Sequence, residues 1–600
     1  MKAPLDRPGG QACLAGVFFP VACAGAALVF LSWMARRGAA ALCGGHACDA
    51  AGMLQYAVLI GPGAFCIFLA AYGAYPALGK LFVVAQNGWR RSYTAAAFAA
   101  AGAFLWWFIV HFGNRQFGGY DLSLLVDSAW RLASGQIPYR DFICTPPPGF
   151  YLGAGWAFRL FGVSWNALLY LTAIFSCASF VWIYALLSAL VRSRAAAFLV
   201  SLAIEFAAVL LLGFWWHNSI TSITGAVFLL SSLMYTRRPE NRWAQLSYTA
   251  SLALLGLMKP NIAGVLAAGG VVLVLIAAPG RRRTLLLTVA AAASTIAILE
   301  AQGISVTGML ASYRAAAESR GRFTAIGFEE MSGLDRARVV GCFLALAMPL
   351  GLCWGRLKRT IRERRLAAAA GEAIVLLAPL AALWGMFSNV DLKDVEWAPA
   401  IAVGAVLVFA PARRWRMERF YVAFLCMLAA SDLYMGAMRY RIEGIGNHMF
   451  FDWTDRGRPA GTPFFRDLKG GPRFQAVLGQ VGQVVAKSPG PVFFGPRMEF
   501  AYAAFGLPSP RHFPVWWHPG SSFALSDEAR VLQGWRNNRF ATLVFLKRDF
   551  TYYPPQFLRL IDALYVRDES YSELTLFHAR GAAAPEVARS LSAMVLLDSR

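Results

Sequence analysis

The fold is decided by the stretch 243–278, which reads WAQLSYTASLALLGLMKPNIAGVLAAGGVVLVLIAA. It contains two apolar runs, 243–258 and 261–278, on either side of Lys259-Pro260-Asn261. A helix needs roughly 20 apolar residues to cross the hydrocarbon core of a bilayer, and both runs approach that length. The three residues between the runs indicate a turn, so the stretch predicts two membrane helices joined by a turn at a membrane face.

The same pattern continues along the chain in both directions. Roughly 13 apolar segments are long enough to cross or nearly cross a bilayer, which predicts an α-helical polytopic membrane protein. The predicted spans are 12–34, 53–76, 94–112, 166–190, 195–213, 219–235, 243–258, 261–278, 284–301, 338–354, 371–387, 397–411 and 419–437.

Composition and charge exclude several other classes of protein. The chain of 600 residues is 58% hydrophobic and only 15% charged, with a mean hydropathy of +0.50, whereas soluble domains are about 25% charged. The net charge of +23 is concentrated in the turns predicted to face the cytoplasm, such as 192–194, 281–283 and 356–365. The positive-inside rule explains this distribution if the N-terminus is cytoplasmic, so the charge does not predict nucleic-acid binding.

The C-terminal part of the chain predicts a soluble α/β domain. Residues 441–600 contain no apolar run long enough to span a bilayer, and apolar runs alternate there with amphipathic helices. The predicted strands are 491–494, 541–546 and 573–577, and the predicted helices are about 473–486, 527–537 and 555–565. An odd number of crossings over residues 1–440 places this domain outside the cytoplasm. The richness of the chain in alanine and arginine suggests a high-GC bacterium, so the expected location is the bacterial inner membrane.

A long outer loop, 113–165, carries most of the polar motifs of the membrane domain. Apolar residues recur at helical spacing from Asp121 to Ala133, which predicts an amphipathic helix lying on the membrane surface. Asp121 opens this helix, either as an N-terminal cap or as a catalytic group. The run of three prolines and a glycine at 146–149 predicts a rigid, extended corner outside any helix, which would hold Asp141 and Asp121 in a fixed relation.

Together, Asp121, the segment Pro-Tyr-Arg-Asp-Phe at 138–142 and the proline corner resemble the GT-C superfamily of integral-membrane glycosyltransferases. That superfamily includes the lipid A aminoarabinose transferases and the protein O-mannosyltransferases. The turn Gly-Leu-Met-Lys-Pro at 256–260 and the order of helices and C-terminal domain are also similar. The resemblance implies transfer of one sugar from a polyprenyl-phosphate donor to a lipid, glycan or protein acceptor of the cell envelope, with inversion. The superfamily often has an Asp-Glu pair where this chain has Asp121 followed by Leu122, which favours a site with a single carboxylate.

The resemblance also implies roles for individual residues. A phosphate leaving group needs cations but no acid, and the acceptor needs a general base. Asp121 is the expected base, and Asp141 is the second choice or an orienting partner. The candidate cations for the donor phosphate are Lys259, Arg314, Arg320 and Arg322, although Lys259 also fits a snorkelling anchor and the arginines a solvated face. The candidate residues for the sugar or acceptor pocket are Tyr139, Arg140, His217 and Asn218, the last two alternatively belonging to an interfacial aromatic belt.

Other readings of the sequence remain open. No cofactor is expected. No Asp-x-Asp pair occurs in the outer loop, and the Cys43, His46 and Cys48 cluster has a spacing atypical of metal sites, but a divalent metal stays an open alternative. The segments 494–499 and 516–520 fit a sugar-binding surface, but a packed core is favoured. A transporter or flippase for a lipid-linked sugar is an alternative, because Glu205 lies within an apolar segment. A surface-glycan polymerase or ligase is a further alternative.

Overall fold

A computed structural model describes residues 91–114, 117, 120–145, 147–191, 194–205, 208, 214–320, 340, 354, 357–363, 365–388, 397–409, 458–517, 524–547, 553 and 555–580. The predicted spans 12–34, 53–76 and 419–437 lie outside these residues, as do the cluster at 43–48 and all but two residues of 338–354.

Each remaining predicted span overlaps a helix. Among the residues that the structure describes, five helical segments are long and apolar enough to cross a bilayer, namely Trp165–Leu190, His217–Arg237, Pro260–Ala277, Arg281–Ala301 and Leu366–Gly385. In chain order, the helices before the C-terminal domain are α1 (Arg91–Gly113), α2 (Tyr120–Ala133), α3 (Pro148–Phe161), α4 (Trp165–Leu190), α5 (Arg194–Glu205), α6 (His217–Arg237), α7 (Arg242–Gly256), α8 (Pro260–Ala277), α9 (Arg281–Ala301), α10 (Val306–Arg320), α11 (Leu366–Ser388) and α12 (Trp397–Phe409).

Helix α9 shows that apolar residues cover much of the outside of the bundle. Leu285, Leu286 and Val289 are each more than half exposed, and little of the apolar part of α9 is buried inside the protein. A contiguous apolar surface of this kind is rare on soluble proteins and is stable against lipid. The exposed face of α9, together with the lengths of the apolar helices, identifies a membrane domain.

Helix α6 forms the centre of the bundle. Nearly all of its residues are buried, including a series of serines and threonines. These small hydroxyl side chains allow close packing and hydrogen bond between helices, as Ser231 does with Ser247 of α7 (2.7 Å) and Tyr235 does with Thr284 of α9 (3.1 Å). Hydroxyl residues therefore make a helix of modest hydropathy suitable for the interior of a membrane bundle.

The turns separate onto two opposite ends of the bundle, as the hydropathy pattern predicts. At the basic end, Arg283 pairs with Glu240 and Arg237 donates a hydrogen bond to the carbonyl oxygen of Leu190 (3.5 Å). At the other end, Lys259 contacts Asn218, and loop 113–165 packs beside them. We call this second end the site end. The assignment of the site end to the outer face of the membrane stays a prediction.

The C-terminal domain is a small α/β unit, as predicted. Its main sheet has the order β3-β4-β6-β5, in which β3 and β4 are parallel and the other pairs antiparallel. Strand β5 is an addition to the predicted strands. The elements are β1 (Arg458–Pro459), β2 (Lys469–Gly470), α13 (Pro472–Lys487), β3 (Val492–Phe494), α14 (Phe500–Ala504), α15 (Glu528–Asn538), β4 (Thr542–Leu546), α16 (Pro555–Leu564), β5 (Tyr565–Asp568) and β6 (Leu574–Ala579).

Candidate active site at the junction of the two domains

Helix α2 carries Asp121 in its first turn and begins one residue earlier, at Tyr120. The side chain of Asp121 lies outside the described residues. From residue 122 to residue 129 every side chain is buried, because α2 is packed between α3 and α14 of the C-terminal domain. The prediction that α2 lies on the membrane surface is therefore wrong, since protein covers both of its faces.

A buried ion pair fastens α2 to the C-terminal domain. Nε of Arg131 lies 2.7 Å from Oδ2 of Asp127, and the two side chains are 1% and 0% exposed. Ser509 donates a hydrogen bond to Oδ1 of Asp127 (2.6 Å), and Arg131 donates to the carbonyl oxygen of Pro510 (2.6 Å) and to Gln136 (3.2 Å). Burial raises the pKa of Asp127, and the charge of Arg131 and the Ser509 hydroxyl partly offset that rise.

A second contact joins the first half of α2 to the start of α14. The Ser123 hydroxyl donates to Glu499 (2.6 Å) and accepts from the backbone N–H of Phe500 (3.0 Å). Glu499 is buried, and Arg497 and Phe494 are also buried. This burial confirms the packed core at 494–499 and excludes an exposed sugar-binding surface there.

The loop after α2 is organised around Asp141. Oδ2 of Asp141 accepts a hydrogen bond from the backbone N–H of Ile137 (2.9 Å), which closes a tight turn. Within this turn, Tyr139 adopts a positive φ of 66°. Arg140 pairs with the same carboxylate at 2.9 Å, and Arg511 of the C-terminal domain lies 3.7 Å away.

These contacts determine the charge of Asp141. Burial opposes its ionisation, but the hydrogen bonds from Arg140 and Ile137 and the charges of Arg140 and Arg511 outweigh burial, so the pKa of Asp141 lies below its ordinary value. A carboxylate that is stabilised as an anion and engaged in this way is a weak base. Its environment favours the orienting role over the role of base.

The side chains of Tyr139 and Arg140 differ in exposure. Tyr139 is buried, and its hydroxyl lies 3.3 Å from that of Tyr313 on α10. Burial raises the pKa of Tyr139 well above its ordinary value, so this phenol stays neutral. The side chain of Arg140, by contrast, is 62% exposed. Of the two, Arg140 is the one accessible to a ligand in solution.

The proline corner differs from the prediction at its end. Pro148 is the first residue of α3 rather than part of an extended segment, because a helix tolerates proline at its first position, where no N–H is needed. Gly149 donates a backbone hydrogen bond to the carbonyl oxygen of Leu257 (2.9 Å). A Cβ atom at residue 149 would lie only 2.9 Å from that oxygen, so glycine permits the corner to contact the turn before Lys259.

Three turns meet at this point: the proline corner, the turn before α6 and the turn before α8. The Lys259 ammonium donates a hydrogen bond to Oδ1 of Asn218 (2.8 Å), and the Lys259 backbone N–H donates to the Thr221 hydroxyl (3.1 Å). Trp215 donates from Nε1 to the carbonyl oxygen of Phe150, just after the corner (2.9 Å). The structure therefore brings together Lys259, Asn218 and the proline corner, which are far apart in the sequence.

The C-terminal domain adds a wall to this region. Residues 141–143 pair with 512–515 through three backbone hydrogen bonds, such as that from the N–H of Val515 to the carbonyl oxygen of Ile143 (3.1 Å). The next residue, Trp516, is partly buried, with its ring centroid 6.1 Å from Trp216 and 6.3 Å from His217. His217 is buried within this aromatic group. Trp517 packs into the core of the C-terminal domain, while 518–520 lie outside the described residues.

Of the three arginine candidates, Arg314 alone has a described side chain, and it does not join this group. Arg314 is 82% exposed and pairs with Glu318 one turn along α10 (2.8 Å). Arg320 ends α10, but its side chain is not among the described residues, and Arg322 lies outside them. Within the described part of the chain, no group of three His, Cys, Asp or Glu residues is placed to hold a metal ion.

The site residues predicted from the sequence do not include Asp127, Arg131, Ser509 and Arg511. The spacing of Asp127 and Arg131 at i and i+4 on one helix is a recognisable signal for an ion pair. The residues of the C-terminal domain carried no such signal, because their partners lie more than 350 positions away in the chain.

Comparisons with known proteins give only distant similarity. No protein-family model and no curated protein matches the chain. The chain is similar to the crystal structure of ArnT from Cupriavidus metallidurans in the apo state, with 13% identity, a TM-score of 0.44, and coverage of 81% of this chain and 98% of that chain. For the crystal structure of the same ArnT bound to undecaprenyl phosphate, the identity is 12%, the TM-score is 0.45, and the coverage is 82% of this chain and 99% of that chain. The function of this chain must therefore be inferred from its own residues.

Proposed function

We propose that the protein is a membrane glycosyltransferase that moves a sugar from a polyprenyl-phosphate donor to an acceptor, with Asp121 as general base and with inversion. The acceptor is a lipid, glycan or protein at the outer face of the bacterial inner membrane. In this proposal the N-terminus is cytoplasmic and the C-terminal domain is extracytoplasmic, so both substrates meet at the site end.

The observation that carries the proposal is the convergence of three turns around Lys259. The Lys259 ammonium lies at the start of α8, an apolar helix, and is held in place by Asn218. A fixed cation at the end of a membrane helix suits the phosphate of a lipid whose isoprenoid chain remains in the bilayer. During transfer this phosphate gains negative charge, which Lys259 stabilises without a proton donor.

The placement of α2 supports Asp121 as the base. An acceptor hydroxyl is a weak nucleophile and needs a carboxylate to take its proton as the new bond forms. Asp121 lies in the first turn of a helix that is fixed on both faces, so its backbone is rigidly placed relative to the site end. A single displacement by the activated acceptor inverts the anomeric carbon and requires only one such carboxylate.

The experiment compares wild type with Asp121→Asn in membranes supplied with radiolabelled polyprenyl-phosphate sugars. Loss of a general base lowers the rate by about 10²–10⁴-fold, and we expect that loss with donor binding retained. Asp562→Asn is the matched control, because Asp562 is exposed on α16 in the C-terminal domain. Full transfer activity in a folded Asp121→Asn protein would disprove the role of Asp121.

A transporter remains the second candidate because of Glu205. This carboxylate is buried in the membrane domain and accepts hydrogen bonds from Ser176 (2.7 Å) and Ser179 (2.6 Å) of α4. Buried acidic groups in membrane helices often belong to transport pathways. Here both carboxylate oxygens are engaged in a contact between α4 and α5, which also explains the residue as an interhelical link. Movement of a lipid-linked sugar across vesicles without any transfer would favour the transporter.

A further inference from the structure

A separate groove of about 420 Å³ lies where the site end of α1 meets the C-terminal domain. One wall is formed by Trp106, Trp107 and His111 of α1, and the opposite end by Asp467 and Lys469. Its volume is within the range of roughly 300–1,000 Å³ that is typical of small-molecule sites. None of these residues takes part in the candidate active site.

The position of the groove corresponds to the boundary between lipid and water. Helix α1 is apolar, whereas the domain that contributes Asp467 and Lys469 is soluble. Trp106 and Trp107 are 40% and 38% exposed, and tryptophan is enriched at the headgroup level of membranes. The groove therefore has an aromatic side beside the bilayer and a polar end beyond it.

Hydrogen bonds between the domains fix the polar end. The N–H of Lys469 donates to the carbonyl oxygen of Asn114 (2.8 Å), directly after α1. The side chain of Asn114 donates to Asn166 of α4 (2.6 Å), which in turn donates to Asp467 (2.5 Å). Because three elements of the chain meet here, the groove is a built feature rather than a gap between loose segments.

The charges of the polar end indicate the ligand. Asp467 and Lys469 are both exposed, carry opposite charges and lie two residues apart. A carboxylate can accept several hydrogen bonds, so the contact with Asn166 still permits Asp467 to accept another. One cation beside one anion complements a headgroup that itself carries both charges, and a purely anionic headgroup would be repelled by Asp467.

We propose that this groove binds a zwitterionic phospholipid with a primary ammonium, of the phosphatidylethanolamine type. Its phosphate contacts Lys469, its ammonium donates hydrogen bonds to Asp467, and its glycerol region packs against Trp106 and Trp107. A primary ammonium is required because a quaternary one has no N–H to donate. This inference is independent of the proposed transferase activity.

The test uses the full chain in phosphatidylcholine nanodiscs that contain photoreactive phosphatidylethanolamine or, separately, photoreactive phosphatidylglycerol. Crosslinked peptides are mapped by mass spectrometry. We expect residues 106–114 to be labelled up to about fivefold more by phosphatidylethanolamine, the upper ratio expected for one exposed ion pair. Asp467→Asn should remove this preference, and Lys469→Gln should lower labelling by both lipids.

Lys487→Gln is the matched control, because Lys487 is an exposed lysine at the end of α13, outside the groove, and its labelling should equal that of wild type. If Lys469→Gln does not fold, Lys469→Arg keeps the charge and should keep the labelling. Equal labelling by the two lipids, or unchanged labelling in both Asp467→Asn and Lys469→Gln, would overturn the proposal. Loss of labelling on addition of inorganic phosphate alone would also overturn it, by indicating a site for free phosphate.

Discussion

The replacement Arg131→Met tests whether the C-terminal domain holds α2 in place. It removes the ion pair with Asp127 and the hydrogen bonds to Gln136 and Pro510, while a side chain of similar length still fills the space. Breaking a fully buried pair leaves one charge uncompensated and costs about 3–5 kcal/mol. Since about 1.4 kcal/mol is a factor of ten in an equilibrium constant, undocking of the C-terminal domain should become about a hundred to a few thousand times more favourable.

The assay follows thermal unfolding of the detergent-solubilised protein by size-exclusion chromatography, together with limited proteolysis between the two domains. We expect a lower unfolding midpoint and faster cleavage for Arg131→Met. The double variant Asp127→Asn with Arg131→Met should recover much of the loss, because it removes the unpaired charge.

The effect should also depend on pH in a defined direction. Burial raises the pKa of Asp127, and removal of Arg131 raises it further. A carboxyl whose folded-state pKa is raised destabilises the fold as pH rises through that pKa and it ionises. The deficit of Arg131→Met should therefore shrink as the pH falls from neutral. A variant with the midpoint of wild type, or a double variant no more stable than the single one, would show that the ion pair does not hold α2 against the C-terminal domain.

Two further predictions concern the loop and the corner. Gly149→Ala places a Cβ atom 2.9 Å from the carbonyl oxygen of Leu257 and should reduce sugar transfer and the unfolding midpoint together. The control Gly102→Ala, with open space around its Cβ, should change neither. Normal activity in Gly149→Ala would contradict the close approach. The pKa of Asp141 is lowered, so its charge stabilises the fold above the unfolded pKa, and that stability is lost as pH falls through the folded pKa. Asp141→Asn should therefore reduce the acid-side decline in stability measured by thermal unfolding. An unchanged pH profile would argue against the Arg140 pair.

Hydropathy and periodicity predicted the described membrane helices and three of the four strands of the main sheet, but not α3, α10, α14 or β5. The run 261–278 was recognisable as a membrane helix by length alone, and the strand predicted at 541–546 corresponds to β4 (Thr542–Leu546). The turn at Lys259 was recognisable because Lys259-Pro260-Asn261 separates two apolar runs. These features depend on residues close together in the chain.

The arrangement of the candidate site could not be predicted in the same way. Contacts such as that between Ser509 and Asp127 join residues 382 positions apart and leave no local pattern. The amphipathic pattern of α2 is compatible with burial against membrane or against protein, and only the position of the C-terminal domain decides between them. The prediction that Pro148 lies outside any helix was wrong, because proline disrupts the interior of a helix but not its first turn.

The lipids that copurify with the protein test most directly whether Lys259 binds the phosphate of a polyprenyl lipid. Wild type, Lys259→Ala and Lys259→Arg are purified from the same membranes, and their extracted lipids are identified by mass spectrometry. We expect a polyprenyl phosphate, with or without its sugar, to be enriched in wild type, strongly reduced in Lys259→Ala and partly retained in Lys259→Arg. Absence of any polyprenyl phosphate from wild type, or equal amounts in folded Lys259→Ala, would contradict this expectation.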